Sequence, residues 1–397
     1  MSEVMEQRRI AQVKQTDLRL RQAAREILAT EGWSALAFTR IAERAGVSRR
    51  PVHDRFTDRW DVALDLWKSE SAQELFDALD ALFQTVEGAD ASADAFQAQI
   101  DQFVHPTHEL RAAIELLVMS QFNSRLHQAI NDTCQQRIQS LCAVSNDISE
   151  TRKAVRRAYL VSIVLGLLLG WRIYEGEDFD LRQQAQRIFN ALQADIAPSG
   201  LPTIDAEHFD GNIVLNVDEP ALRALMLAAI EEIGTHGFDG AATLRIAERA
   251  GFSEGFLFSR YSSKLKLFVD IIRRNTESRL HQNNQLLETI AQSHCQGIAD
   301  AVFIREAMQP GRGHRRALTL EHFRVSMNDE SMRKQTVAAL ERFVAEMRSA
   351  NPEWAEKMTP TRVRMAHTVG IGVVALPLVL PDAWQLPFDL VTCGLGD

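Results

Sequence analysis

Cysteine is scarce: the 397 residues hold four, Cys134, Cys142, Cys295 and Cys393, widely spaced and without a C-x-x-C pair. This spacing excludes a disulfide framework or a zinc ribbon and points to reduced thiols in the cytoplasm. Long apolar runs are also missing. The most apolar stretch, "LVSIVLGLLLGW" at 160–171, falls short of the roughly 18–20 residues needed to cross a bilayer, so it reads as a buried helix. The start, "MSEVMEQRRIAQVKQTD", is too polar for a signal peptide. No segment alternates as strands do. Catalytic constellations are absent as well. His105 and His108 in "HPTH" have no visible third metal ligand, and no Ser/His/Asp set has a supporting motif. The basic loop "PGRGHRR" (310–316) follows no strand and so does not read as a phosphate cradle. The expectation is a protein that is not an enzyme, with no metal, no cofactor and no membrane partner.

Net positive charge is lacking too: 44 Lys and Arg against 53 Asp and Glu give −9, at first sight unfavourable for nucleic acid. The distribution says otherwise. Residues 1–68 carry 13 basic and 10 acidic side chains, and residues 219–275 carry 8 and 7. Two locally basic segments therefore sit in an acidic chain. Both contain the heptapeptide "RIAERAG", at 40–46 and at 245–251. Residues 21–67 align with 226–272 without a gap, 16 of 47 positions being identical. Gly32 matches Gly237, Ser48 matches Ser253 and Arg55 matches Arg260. A constant register over that length marks an internal duplication.

Each copy reads as helix, two short helices about a glycine turn, then a long helix. In copy 1, Leu20, Ala23, Ala24, Ile27 and Leu28 have amphipathic spacing and Gly32 is the stop. Thr39 is a candidate N-cap for a short helix over "RIAERA", with Arg40, Glu43 and Arg44 pointing outward. Gly46 ends it, and Ser48 is a candidate cap for a helix over 49–56 with Pro51 in its first turn. Asp58 caps a long helix from Arg59 toward Phe83. Ile41, Ala42 and Ala45 form a small apolar seat for the following helix. The pattern is a helix-turn-helix, at about 39–56 and again at about 244–261. Further amphipathic helices fill 70–195, the Pro/Gly/Asp-rich stretch 196–212 reads as a linker, and helices resume at Glu219 and run to about Leu376.

The motifs "RIAERAGVSRRPVHDRFTDRWDVAL" and "RIAERAGFSEGFLFSRYSSKLKLFV" resemble the TetR family of bacterial transcriptional regulators. The resemblance implies an all-α protein of two tandem domains, 1–200 and 213–397, each a helix-turn-helix head followed by a helical ligand-binding and dimerisation region. It implies a double-stranded DNA operator and a small, largely apolar effector. It also implies a pairing surface, here expected on the helices at 155–174 and 361–376 as a four-helix contact, that closes within the chain as a pseudo-dimer and leaves room for a homodimer of whole chains as well. Two departures stand out. The family's recognition-helix tyrosine is His53 in copy 1 and Phe258 in copy 2. Its phosphate-contacting lysine is Arg59 in copy 1 and Lys264 in copy 2.

The candidate DNA-binding residues are Arg40, Arg44, Ser48, Arg49, Arg50, His53, Arg55 and Arg59 in copy 1, and Arg245, Ser253, Phe256, Arg260 and Lys264 in copy 2. Arginines on a major-groove helix suit guanine edges and phosphates. Arg8, Arg9, Lys14, Arg19 and Arg21 are either a charged tail or arms to the DNA backbone. Phe256 either meets a thymine methyl or packs against protein. Phe96, Phe103, Phe122, Trp171, Phe303, Met308, Phe323 and Met327 are core residues from which an effector pocket is expected to draw. The functional expectation is a ligand-responsive repressor reading an asymmetric operator through two unlike heads. The rival is a helical ligand- or protein-binding protein whose helix-turn-helix units no longer bind DNA.

Overall fold

A computed structural model describes residues 2–173, 182–203, 215, 217–350, 356 and 358–395. Among the described residues the regular structure is helical throughout. The linker assigned to 196–212 lies outside them beyond residue 203. The chain packs as two compact units, Met1–Ala78 with Pro106–Thr133, and Leu79–His105 with Cys134–Asp397. Packing and repetition thus divide the chain differently.

The first unit holds the first head. Helix α1 (Ser2–Glu31) ends at Gly32, whose φ of 80° suits a residue without Cβ. Helix α2 (Phe38–Ala45), a left-handed turn at Gly46 (φ 64°), and α3 (Arg50–Arg55) form the helix-turn-helix. Helix α4 (Arg59–Leu66) starts on Asp58, whose carboxylate accepts from the Trp60 and Asp61 amides at 2.7 and 2.9 Å. A π-helical turn, Trp67–Ser71, joins it to α5 (Ala72–Glu87). Two expected caps are not used. Helix α2 begins one residue before Thr39, with Ala37 at the cap position. Ser48 leaves the cap of α3 to Arg49, and neither helix receives a side-chain cap. Helix α2 is instead held at its start by the Ile41 amide bonding the Ala37 carbonyl. Helices α7 (His108–Met119) and α8 (Ser124–Cys134) complete the unit, α7 lying on α1.

The second unit contains α6 (Ala93–Val104), α9 (Ile148–Gly170), α10 (Arg182–Gln193) and everything after them. Its head repeats the first: α11 (Pro220–Gly240, broken at Gly237, φ 72°), α12 (Thr243–Arg249), a turn at Gly251 (φ 82°) and α13 (Glu254–Arg260). Here Ser253 does cap, accepting from the Phe256 amide at 3.3 Å. Helices α14 (Lys264–Ala291), α15 (Gln296–Met308), α16 (Gly313–Asn328), α17 (Glu330–Ala350), α18 (Pro360–Ala375) and the short α19 (Asp389–Thr392) follow.

Helices α9 and α18 pack along each other. Sixteen residues of α9 are buried, among them Tyr159, Ser162, Ile163 and Gly166. A Cβ at Gly166 would run into the Thr368 carbonyl, and one at Gly372 into the Ser162 carbonyl. The two backbones touch, as small residues at helix crossings allow. The apolar stretches of the two sequence halves therefore meet within one chain.

Candidate nucleic-acid interface and effector cavity

The arginines of the repeated heptapeptide brace the heads from within. Arg40 pairs with Glu31, and Arg44 with Glu31 at 2.7 Å and Glu26 at 3.7 Å, tying α2 to α1. In the second head, Arg245 pairs with buried Glu232 and Arg249 with Glu231. These side chains are exposed, as the outward-pointing pattern implied, but each is already matched to a carboxylate.

The heads share two further devices. Asp65 receives Arg21 at 2.7 Å and Arg55 at 3.0 Å, and Arg55 also pairs with Asp17. Burial would lift the Asp65 carboxyl, but Arg21 and Arg55 hold it below the usual carboxylate range. The repeat-equivalent Asp270 accepts from the Tyr261 hydroxyl at 2.8 Å and from Arg273 at 2.7 Å. The second device lies beyond the aligned window. Buried Glu115 accepts the Trp33 amide at 2.8 Å, and buried Glu321 accepts the Phe238 amide at 2.5 Å. Trp33 and Phe238 each follow the positive-φ glycine that ends the first helix. In both heads a long-range helix thus fastens the same backbone turn. Sequence reasoning missed this pair, because the separations differ by one residue, 82 against 83.

What remains free differs between the heads. In head 1, Arg49, Arg50, His53 and Ser48 are exposed on or beside α3. Arg49 has no described partner. Arg50 sees only Asp54 at 3.7 Å, both being largely in water, so that pair is weak. His53 rests edge-on against Phe38, and Arg59 lies over the Trp33 ring at 5.0 Å. In head 2, Arg260 pairs with Glu219 at 2.5 Å and Lys264 donates to the Phe238 and Ala241 carbonyls at 2.5 and 2.8 Å. Burial pushes the Lys264 ammonium down from its ordinary range. Phe256 stacks on Phe252 at 4.4 Å and packs on the head's core, whereas Phe258 is 49% exposed. Glu254 accepts from Thr243 at 2.5 Å. Of the N-terminal basic residues, Arg21 is committed to Asp65 and Arg19 bonds the Gly46 carbonyl at 3.2 Å. Arg9 and Lys14 are exposed, and the Arg8 side chain lies outside the described residues.

The second unit also holds a partly open cavity of about 1060 Å³. Of the eight residues named for a pocket, Phe303 and Phe323 line it. Phe96, Phe103, Met308 and Met327 are buried elsewhere, and Phe122 and Trp171 are half-buried away from it. Among the described residues the wall also includes six arginines, 187, 279, 312, 315, 316 and 362, and two carboxylates, Glu288 and Asp300. Three of the arginines belong to the "PGRGHRR" loop and the start of α16. Helix α16 faces two ways. Arg315, Thr319, His322 and Phe323 border the cavity, while Leu318 and Val325 belong to the core of the second head and Glu321 holds its turn.

These heads define a helix-turn-helix protein. Residues 20–66 and 225–271 each match the model of the bacterial regulatory proteins, tetR family, and the chain carries two such units in tandem. It is also similar to the HTH-type transcriptional activator FasR of Mycolicibacterium smegmatis, at 34% identity over 65 residues. That match spans 16% of this chain and 30% of the relative's length. Among the described residues no helix is long and apolar enough to cross a membrane.

Proposed function

We propose that the chain is a ligand-responsive DNA-binding transcriptional regulator of the cytoplasm, made of two family-like domains, 1–200 and 213–397. It reads an asymmetric operator, and the first head supplies most of the base-specific affinity. The observation that carries this is the contrast in free donors. Arg49 and Arg50 are exposed with little or nothing to hold them, whereas Arg245, Arg260 and Lys264 are engaged and Phe256 is packed inward. A single-copy regulator pairs identical halves and reads a palindrome; a duplicated one is released from that symmetry. The contact between α9 and α18 serves as the internal pairing surface of a pseudo-dimer, and assembly of whole chains into a homodimer remains compatible with it.

Helix α16 is the route from ligand to DNA. It borders the cavity on one side and fastens the second head through Glu321 on the other, so a ligand that shifts it biases the head. Release of DNA on ligand binding makes the protein a repressor. The named relative is an activator, which favours a second reading with the same parts and the opposite sign. Selection from a random duplex library at moderate salt, followed by binding with and without ligand, tests the proposal. An asymmetric enriched site is expected. A perfect palindrome overturns the asymmetric reading, and no enrichment at all favours the rival in which the heads are scaffolding.

A further inference from the structure

The sequence led us to expect a largely apolar ligand. The cavity wall is apolar along Leu280, Leu287, Phe303, Ile304 and Val374, but one end is densely cationic. Arg279 is central to that end. Its Nη1 donates to Thr319 Oγ1 at 2.8 Å, while the Thr319 hydroxyl itself donates to the Arg315 carbonyl. The Arg279 Nε is buried without a partner, and no described carboxylate pairs with the group. The side chain lies deep among protein atoms yet keeps accessible surface, because that surface is the wall of the cavity. Burial, with Arg315 and Arg312 nearby, pushes its guanidinium well below the ordinary arginine range. Arg316 is held by the Met308 and Gln309 carbonyls, with Arg312 close enough to repel it. Elsewhere on the wall Arg187 and Arg362 repel each other, near Asp300. Arg312 pairs with Glu306 at 3.5 Å, whereas the buried Arg279 Nε has no hydrogen-bond partner. Left to itself, a buried cation without a counter-ion is unfavourable. An arginine cluster beside an apolar chamber fits one kind of occupant.

We propose that the cavity binds an amphipathic anion: a single apolar chain ending in a carboxylate or phosphate that lies against Arg279, Arg312 and Arg315. The planar guanidinium donors suit either oxyanion. A volume of about 1060 Å³ stands at the upper end of the ordinary range for ligand sites, roughly 300–1,000 Å³, and suits a long chain. The site deepens the effector part of the regulatory reading, and its link to DNA release rests on that reading.

Titration calorimetry on the full chain without DNA is the test, using dodecyl phosphate, dodecanoate and dodecanol, each below its micelle concentration. The two anions are expected to bind about 10–100-fold more tightly than the neutral alcohol, the value of charged hydrogen bonds lost. Their order identifies phosphate or carboxylate as the preferred head. Arg279→Met is expected to erase most of that preference while leaving the melting temperature of the empty protein equal or higher. Should Arg279→Met fail to fold, the double variant Arg312→Gln/Arg315→Gln is expected to lower the same preference. Equal binding of alcohol and anions, or no binding of any of the three, overturns the proposal. A separate titration with operator duplex decides regulation. Anion binding that leaves duplex affinity unchanged sinks the regulatory reading and leaves the site standing.

Discussion

Gly166 and Gly372 face each other across the α9–α18 crossing, each lying against the backbone of the other's helix. The relation is reciprocal: the carbonyl of Thr368 occupies the space of a Cβ at Gly166, and the carbonyl of Ser162 that of a Cβ at Gly372. Backbone cannot rotate away as a long side chain can. Gly372→Ala is therefore expected to destabilise the protein by at least the ~1–3 kcal/mol typical of overpacking, read as a shift of the urea midpoint. Gly370→Ala, on the same helix with open space around its Cβ position, is the control and should be neutral or stabilising. Equal effects from both would remove the crossing from the argument.

The two buried glutamates should differ in weight. Glu115→Ala leaves the Trp33 amide without its acceptor, at a cost of about 1–3 kcal/mol. Glu321→Ala also strips a partner from Arg324, a 3%-exposed guanidinium that pairs with Glu321 at 2.6 Å and Asp239 at 2.7 Å. Breaking one side of a buried pair raises the cost to about 3–5 kcal/mol. Chemical denaturation of both variants checks the order. A larger loss at Glu115 would contradict it.

Arginines on the first head should separate into two groups. Arg49→Ala is expected to leave the melting temperature unchanged and to lower the log–log salt slope of duplex binding by about one. Arg50→Ala, if Arg50 reads a base, should cost about 1–3 kcal/mol on the cognate site. Arg55→Ala removes partners from Asp17 and Asp65 and should lower the melting temperature. A drop in stability at Arg49 equal to that at Arg55 would mean the free donor has been misidentified.

Stability should fall with acid through His322. Its Nε2 lies 2.7 Å from the Thr336 hydroxyl, and that hydroxyl donates to the Met332 carbonyl. The ring nitrogen is then the donor to Thr336. Burial, with His367 nearby, pushes the imidazole down to about 3. The folded protein therefore refuses a proton that the unfolded chain accepts near pH 6.5. Stability is full above that value and falls as pH drops toward 3, by up to about 1.4 kcal/mol per pH unit from this group. His322→Gln should flatten part of the decline between about pH 6.5 and 5. An unchanged acid slope would assign the effect elsewhere.

How much was legible in the sequence follows from the range of each interaction. The helix-turn-helix heads rest on local terms: the glycine stops at 32, 46, 237 and 251, the seat formed by Ile41 and Ala42, and the Asp58 cap. All of these lie within a few residues of what they shape. The roles of the heptapeptide arginines were less visible, because Glu26 and Glu31 lie on a different helix and an outward arginine looks the same whether it meets DNA or a carboxylate. Ser48 reads as a cap by residue type, yet of Ser48 and its repeat-equivalent Ser253 only Ser253 makes the bond. The basic loop at 310–316 was read only as not a phosphate cradle, because its place beside the cavity depends on how α14 and α16 meet. The contact between the free thiols of Cys295 and Cys393, 3.8 Å apart, was hidden for the same reason.

The glycine crossing has a consequence for dosage. Both of its helices belong to one polypeptide, so the contact is unimolecular and dilution cannot separate it. A regulator that assembles from separate subunits loses its active form with the square of concentration when copies are few. Here the contact forms within each translated chain, so its population does not depend on how many copies are present.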